Sequence, residues 1–508
     1  MEDNRESMTM DMERAGLTRR RLLQGAGGLI AATALPAKGA MLATSPLSQT
    51  PAASSAGTTD LTGRLARYIV GVRGQSLPPA IMLDAKHQIL DTLGAMVSGS
   101  RLKPGEMAIR FIRSQGGVPE ASVLGTDVKT TAINAALANG MFGHSDETDG
   151  VEQITKCHPG CSVVPAALAM AEREDRSGLE VLKAVALGYD ICCRFVIALG
   201  NDKWRSLGRG IEAPGATMGS AAAASSLAHL DEAQARYALS YASQQVSGVW
   251  SWIQDADHIE KAFDIGGMGA RNGVTSAIMA QMGFTGAFDV LSGPNNVIQA
   301  YAVQARSEEL MAGLGSRYFV SETAIKTFSV GYPIQAPLDA FLTLRREHGL
   351  RVENVERILV KLPTDAIPIV SHSSMPNVNC EYNIAVALIE GAVSFENSHS
   401  EAHMHDPQVR AVMQRVQVVA DQKLMDPAAP RSGFVEVTLR DGRTVSHFTR
   451  FAPGTRENPL GTAGVNRKAE GLIGPVLGAK KTEALIQRVN ALEEVSNMRE
   501  LIRSLLTV

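Results

Sequence analysis

Residues 134–172, NAALANGMFGHSDETDGVEQITKCHPGCSVVPAALAMAE, carry the reading that decides the fold. An Ala-rich helical pattern over 135–142 breaks at Gly143. His144, Glu147 and Asp149 follow in an acidic turn, and His158-Pro159 leads into a second apolar helix over 163–172. A turn held at both ends by packed helices can set acids and bases over a pocket. The plainer alternative is a solvated loop whose His158-Pro159 pair closes one segment and opens the next.

The same helical style extends outward. Met82, Lys86, Ile89, Leu93 and Met96 fall three or four apart behind Pro78-Pro79, one apolar face after proline punctuation. Residues 179–199 read as a helix capped by Ser177, and residues 232–249 as one capped by Asp231; 270–282 and 298–314 continue the pattern. After Pro333 the character changes. Ile358, Val360 and Leu362 alternate, residues 434–448 form a hairpin around Asp441-Gly442, and helical segments fall at 382–390 and 407–418. Helical sequence returns from Arg467. The expected fold is mainly α: a large all-helical domain formed from both ends of the chain, 61–325 completed by 456–508, plus a smaller α+β domain over 326–455.

The 508 residues exceed one ordinary core. Aromatics at 5% against 47 glycines suit closely packed helices better than a β-sandwich. A net charge of −3, with no basic helix interleaved with aromatics, speaks against nucleic acid. Five cysteines are too sparse for a disulfide framework, and vicinal Cys192-Cys193 read as small core residues.

Near the start, Thr18-Arg19-Arg20-Arg21-Leu22-Leu23 precedes the uncharged run GAGGLIAATAL and Pro36, the pattern of a twin-arginine export leader. Residues 1–60 are thus expected to be signal plus flexible tether, read by the twin-arginine export machinery, and the mature protein periplasmic or exported and soluble. The leader's apolar core is too short to span a bilayer, so no stable membrane insertion is expected.

Several groups could carry chemistry. In DADHIEKAFDIGGMGARNG (255–273), Gly267-x-Gly269 has no preceding strand and no third glycine at the required place, so it is not a nucleotide site; Lys261 is a cation beside glycines that permit close approach by an anion. Lys326, in AIKTFSVGYPI, stands at a domain junction, either to hold a substrate carboxylate or as a surface charge. Cys157, His158, Cys161 and His144 raise zinc, but a second ligand pair is missing unless His399, His403 or His405 supplies it from the other domain. Asp255, Asp257 and His258 read as helix-end polar residues. No Gly-x-Ser-x-Gly elbow is present.

ILDTLGAMVSG, NGMFGHSDETD, HPG, EKAFDIGGMGARNG, FTGAFDVLSG, IKTF, EYNIAVALIEG and ENPLGTAGVNRKAEGL occur in that order from Ile89 to Leu472. In this ordered set the chain resembles the MmgE/PrpD family. The resemblance implies a homodimer without metal or organic cofactor, working on a small di- or tricarboxylate at a cleft between domains. By position it implies catalytic roles for Glu147, Asp149, His158, Lys261 and Lys326, and substrate contacts from His144, Lys261, Lys326 and Tyr382. Two imidazoles common in the family are replaced, one near Gly210 or Ile211 and one at Gly331.

The expected reaction is that of a lyase of the 2-methylcitrate dehydratase type: removal of a carbon-bound proton beside a carboxylate, then loss of water. The lysines would take up developing charge, and His158, partnered by Glu147 or Asp149, would move the proton. The same groups would serve a decarboxylase or an epimerase. A metal-dependent hydrolase on the Cys/His cluster and a non-catalytic exported carboxylate-binding protein are the readings from other classes.

Overall fold

The computed structural model describes residues 60–200 and 203–508, and the export-leader motif lies outside them. Helix α1 (Leu61–Gly71) is capped by Asp60, and α2 (Pro79–Gly99) starts with proline at its first position, where the missing N–H costs nothing. After α3 (Lys103–Gln115) come α4 (Ala132–Gly143) and α5 (Pro159–Arg173), the two helices that hold the acidic loop. The capping box of Ser177 and Glu180 opens α6 (Gly178–Leu199), and α7 (Glu212–Leu227) is buried along its whole length. Small residues make that burial possible: a Cβ on Gly219 would stand 2.5 Å from the Gly188 carbonyl oxygen, so α6 and α7 cross nearly backbone to backbone. Next are α8 (Glu232–Ser243), the short α9 (Ile259–Ala262), a π-helical turn over Phe263–Gly267 and α10 (Met268–Gln281).

The chain's end returns to this body. In α11 (Gly461–Leu477) and α12 (Ala479–Asn490), Val465, Ala469, Ile473, Leu485 and Ile486 join one apolar core with Leu90, Leu93, Phe142 and Val164. A separate apolar core belongs to the smaller α+β part. Four short strands of the chain, β1 (Ala121–Ser122) with β2 (Lys129–Thr130) and β3 (Val151–Glu152) with β4 (Thr323–Ala324), pair antiparallel; the sheet of the α+β part is built from β5 (Val355–Leu362), β6 (Val416–Ala420), β7 (Gly433–Leu439) and β8 (Thr444–Thr449) in the order β6-β5-β7-β8, with β5 and β6 parallel and the other pairs antiparallel. Val435, Val437 and Leu439 face inward and the hairpin turns at Gly442 with φ +87°, as the alternation and the Asp-Gly pair predict.

Three expected helices are shorter. The 232–249 segment stops at Ser243 because the chain turns through Gly248, φ +126°, and Val249 bridges Arg209. The 298–314 segment keeps only Val297–Tyr301 and a 3-10 turn. The 407–418 segment is a helix to Met413, then β6, where alternating Val416 and Val418 find a parallel partner in β5. All five cysteines are unpaired and buried. Among the described residues no helix is long and apolar enough to cross a membrane.

Candidate active site

The acidic turn that opens the loop between α4 and α5 is not solvated. Residues 144–149 are all buried, with His144, Asp146, Thr148 and Asp149 fully so. A buried loop must find donors for its carbonyls, since each left unpaired costs free energy. Four basic side chains from distant parts of the chain supply them. His258 Nε2 donates to the His144 carbonyl at 2.9 Å, His399 Nε2 to that of Asp146 at 3.0 Å, Lys326 Nζ to that of Glu147 at 2.7 Å, and Lys468 Nζ to that of Thr148 at 2.7 Å. Lys468 comes from α11 in the returning tail and also holds Asp91 of α2.

Two short devices bring the lysines in. Val151–Glu152 pairs antiparallel with Thr323–Ala324, which ties the loop to the segment carrying Lys326. Gly266 in the π-helical turn lies against α4, where a Cβ would sit 2.1 Å from the Gly140 carbonyl oxygen, and this contact docks Lys261. The glycines beside Lys261 therefore admit a helix rather than an anion. The anion it meets is Glu147.

Glu147, at φ +56°, spans both ammonium groups: Lys261 bonds its Oε1 and Lys326 Nζ its Oε2 at 3.1 Å. Burial works to raise its pKa, but Lys261 and Lys326 hold it well below the usual glutamate range. Asp149 is held low in the same way, burial being outweighed by His144 and His158. His144 Nδ1 lies 3.1 Å and His158 Nδ1 3.0 Å from the Asp149 carboxylate. Donation by Nδ1 in each ring leaves Nε2 as the free nitrogen. Desolvation pushes the His144 pKa down, favouring the neutral ring.

A cleft of about 680 Å³, including its open mouth, reaches this cluster. Glu147, His158 and Lys261 line it, with Trp252, whose ring centroid lies 5.4 Å from Lys261 Nζ. His144, Asp149 and Lys326 form a buried layer behind. Lys326 and His144, expected against substrate, thus stand behind Glu147 and Asp149. Tyr382 stands apart: it is buried in the α+β core with its hydroxyl donating to the Asn397 carbonyl at 2.5 Å, and it does not line the cleft. Gly331 lines the cleft and adds only backbone there, while Gly210 leaves its place to Asp264 Oδ2 and Trp252 Nε1.

The Cys-x3-Cys pattern does not close into one ligand set. Cys157 packs with Cys192 and Val196, whereas Cys161 packs with Trp252 and Ile265. Among the described residues two trios bring ligand atoms within 4.8 Å, His144 with Asp149 and Cys161, and His144 with Glu147 and His258. In the second the Glu147 carboxylate already serves the Lys261 and Lys326 ammonium groups, so a divalent cation would meet their repulsion. His258 and Lys468 are residues that the sequence reading did not bring to this loop, and His399, raised there only as a possible zinc ligand, serves instead as a donor to a loop carbonyl. Only the left-handed backbone of His258, φ +60°, aims its ring inward, and no local pattern shows that.

Two family models match the chain, the MmgE/PrpD N-terminal domain over residues 63–309 and the MmgE/PrpD C-terminal domain over 328–494. Curated relatives include cis-aconitate decarboxylase of Homo sapiens, 25% identical with 86% of this chain and 92% of the relative covered. A cis-aconitate decarboxylase-like protein of Aspergillus oryzae is 23% identical, with 87% of this chain and 96% of the relative covered. Cis-aconitate decarboxylase of Aspergillus terreus is 22% identical, with 89% and 97% covered.

Proposed function

The chain belongs to the MmgE/PrpD family, and from that premise we propose that it is a lyase acting on a small polycarboxylate, its reaction the decarboxylation of a tricarboxylate such as cis-aconitate. The observation that carries this reading is the pairing of groups at the cleft floor. The Lys261 ammonium, held on Glu147, lines the cleft together with an imidazole oriented by Asp149, and Lys326 lies behind them between Glu147 and Asp149. Breaking the bond to a departing CO2 leaves an electron pair on carbon. A neighbouring carboxylate conjugated to that carbon takes up the charge, which Lys261 and, through Glu147, Lys326 stabilise. His158 then delivers a proton from Nε2 to carbon, and Asp149 stabilises the imidazolium that precedes the transfer.

The relatives' activity favours carbon–carbon cleavage. Loss of water, expected from the sequence, is the second reading, because the same Nε2 facing the cleft could protonate a departing hydroxyl. The proposal extends to export by the twin-arginine route and to a homodimer, both resting on the sequence pattern.

Incubating the purified protein with cis-aconitate and with 2-methylcitrate, and following CO2 release and products by proton NMR, tests it. Consumption of cis-aconitate with an equivalent of CO2 is expected. Dehydration of 2-methylcitrate alone would favour the second reading, and recovery of both compounds unchanged would overturn the lyase assignment.

A further inference from the structure

A surplus of positive charge lies in the same cleft, outside the cluster around Glu147. Lys156 and Arg431 both line it, and both rest on one carboxylate: Lys156 Nζ is 2.7 Å from Asp365 Oδ2 and Arg431 Nη1 2.9 Å from Asp365 Oδ1. Arg205, also in the lining, is balanced by Glu212 at 2.8 Å. The Lys156 and Arg431 pair is therefore one negative charge short. Tyr332 lines the cleft too, and its buried hydroxyl makes no hydrogen bond within the protein. Burial raises the Tyr332 pKa, keeping the phenol a donor. Burial, and then the neighbouring Arg431 charge, lower the pKa of Lys156.

The backbone places these groups deliberately. Lys156 sits at φ +62°, a conformation that a side-chain-bearing residue adopts at a cost, in the turn that returns the chain from Glu152 to His158. That turn is fixed by the Glu152 carboxylate, which accepts from the N–H groups of Ile154 and Thr155. One residue, Cys157, separates Lys156 from His158, so the outer cation and the proposed acid leave the same short turn.

We propose that Lys156, Arg431 and the Tyr332 hydroxyl form an outer subsite for a second carboxylate arm of the substrate, the feature that selects a tricarboxylate over the corresponding dicarboxylate. Lys261, lining the inner end, takes the carboxylate next to the reacting carbon. The outer group takes the distal arm, with Arg431 able to offer parallel N–H donors and Tyr332 a third. This assignment rests on the polycarboxylate reading above, and its test needs no turnover.

Tricarballylate and methylsuccinate differ by one CH2–COO⁻ arm replaced with methyl, and both are saturated. Isothermal titration of the full protein with each should show tricarballylate binding more tightly by about tenfold or more, the value of one charge-assisted contact. Lys156→Met and Arg431→Met should each remove most of that difference while leaving methylsuccinate affinity unchanged. Tyr332→Phe, which deletes one oxygen and keeps the ring's packing, should narrow it as well and serves if Arg431→Met does not fold. Equal binding of the two probes by the unaltered protein, failure of tricarballylate to bind, or variants that weaken both probes alike would overturn the subsite. Discrimination that persists without any lyase activity would leave the subsite standing and sink the proposed reaction instead.

Discussion

His158 has one ring nitrogen on Asp149 and lines the cleft with the rest of its ring, the arrangement of a group that moves a proton. His158→Ala should lower kcat by about a hundredfold or more, measured under saturating cis-aconitate; a near-normal kcat would remove His158 from the chemistry. Glu147 has a different part to play. Glu147→Gln keeps the shape but leaves two buried ammonium groups facing each other without their anion. It should cost about 3–5 kcal/mol of stability in urea unfolding, the penalty for breaking a buried ion pair, and a loss below 1 kcal/mol would show that the lysines can part. At this scale the acidic loop was legible. His144, Glu147, Asp149 and His158 lie within fifteen residues of one another, between two recognisable helices, and do meet. His258 and His399 were not, because what recruits them is the need of buried carbonyls for donors, a demand created only by the fold.

Among the elements, the crossing of α4 with the π-helical turn decides whether Lys261 reaches Glu147. Gly266→Ala would push a methyl into the Gly140 carbonyl, a backbone atom with nowhere to go. It should cost about 1–3 kcal/mol by overpacking and reduce kcat while the far sheet stays intact. Urea unfolding and steady-state rates on one preparation check both, and unchanged kcat would mean the lysine is placed by other contacts. The glycine run was visible in the sequence, but its partner was not: nothing local distinguishes a glycine that admits a ligand from one that admits a helix. The hairpin of β7 and β8 was legible because alternation and a turn pair agree. β6 was lost to a helical reading because its parallel partner lies more than fifty residues away.

For the molecule as a whole, two classes of buried acid pull stability in opposite directions with pH. Glu147 and Asp149 have lowered pKa values, so their contribution is present above the ordinary carboxylate range and is lost as pH falls through their depressed folded values. Asp264 behaves oppositely. Burial and then Glu212 raise its pKa to about 8, so the folded state holds its proton where the unfolded chain has released it. Its contribution is complete below the ordinary aspartate value near 3.8 and is lost progressively as pH rises to about 8. Urea unfolding across pH 5–8 should therefore show Asp264→Asn gaining stability relative to the unaltered protein as pH rises; a difference that stays constant with pH would place the titration elsewhere. Closure of the helical body by the returning tail was legible from the return of helical sequence after Arg467. That Lys468 from this tail braces the acidic loop was not, since a lysine in an amphipathic helix ordinarily faces water.

The central claim is that this cleft moves a proton to or from carbon on a polycarboxylate. Proton NMR of cis-aconitate incubated with the protein in heavy water tests it most directly. The expected result is conversion with deuterium at carbon in the product, abolished in His158→Ala. Unlabelled cis-aconitate recovered intact from a protein shown to bind it would contradict the claim.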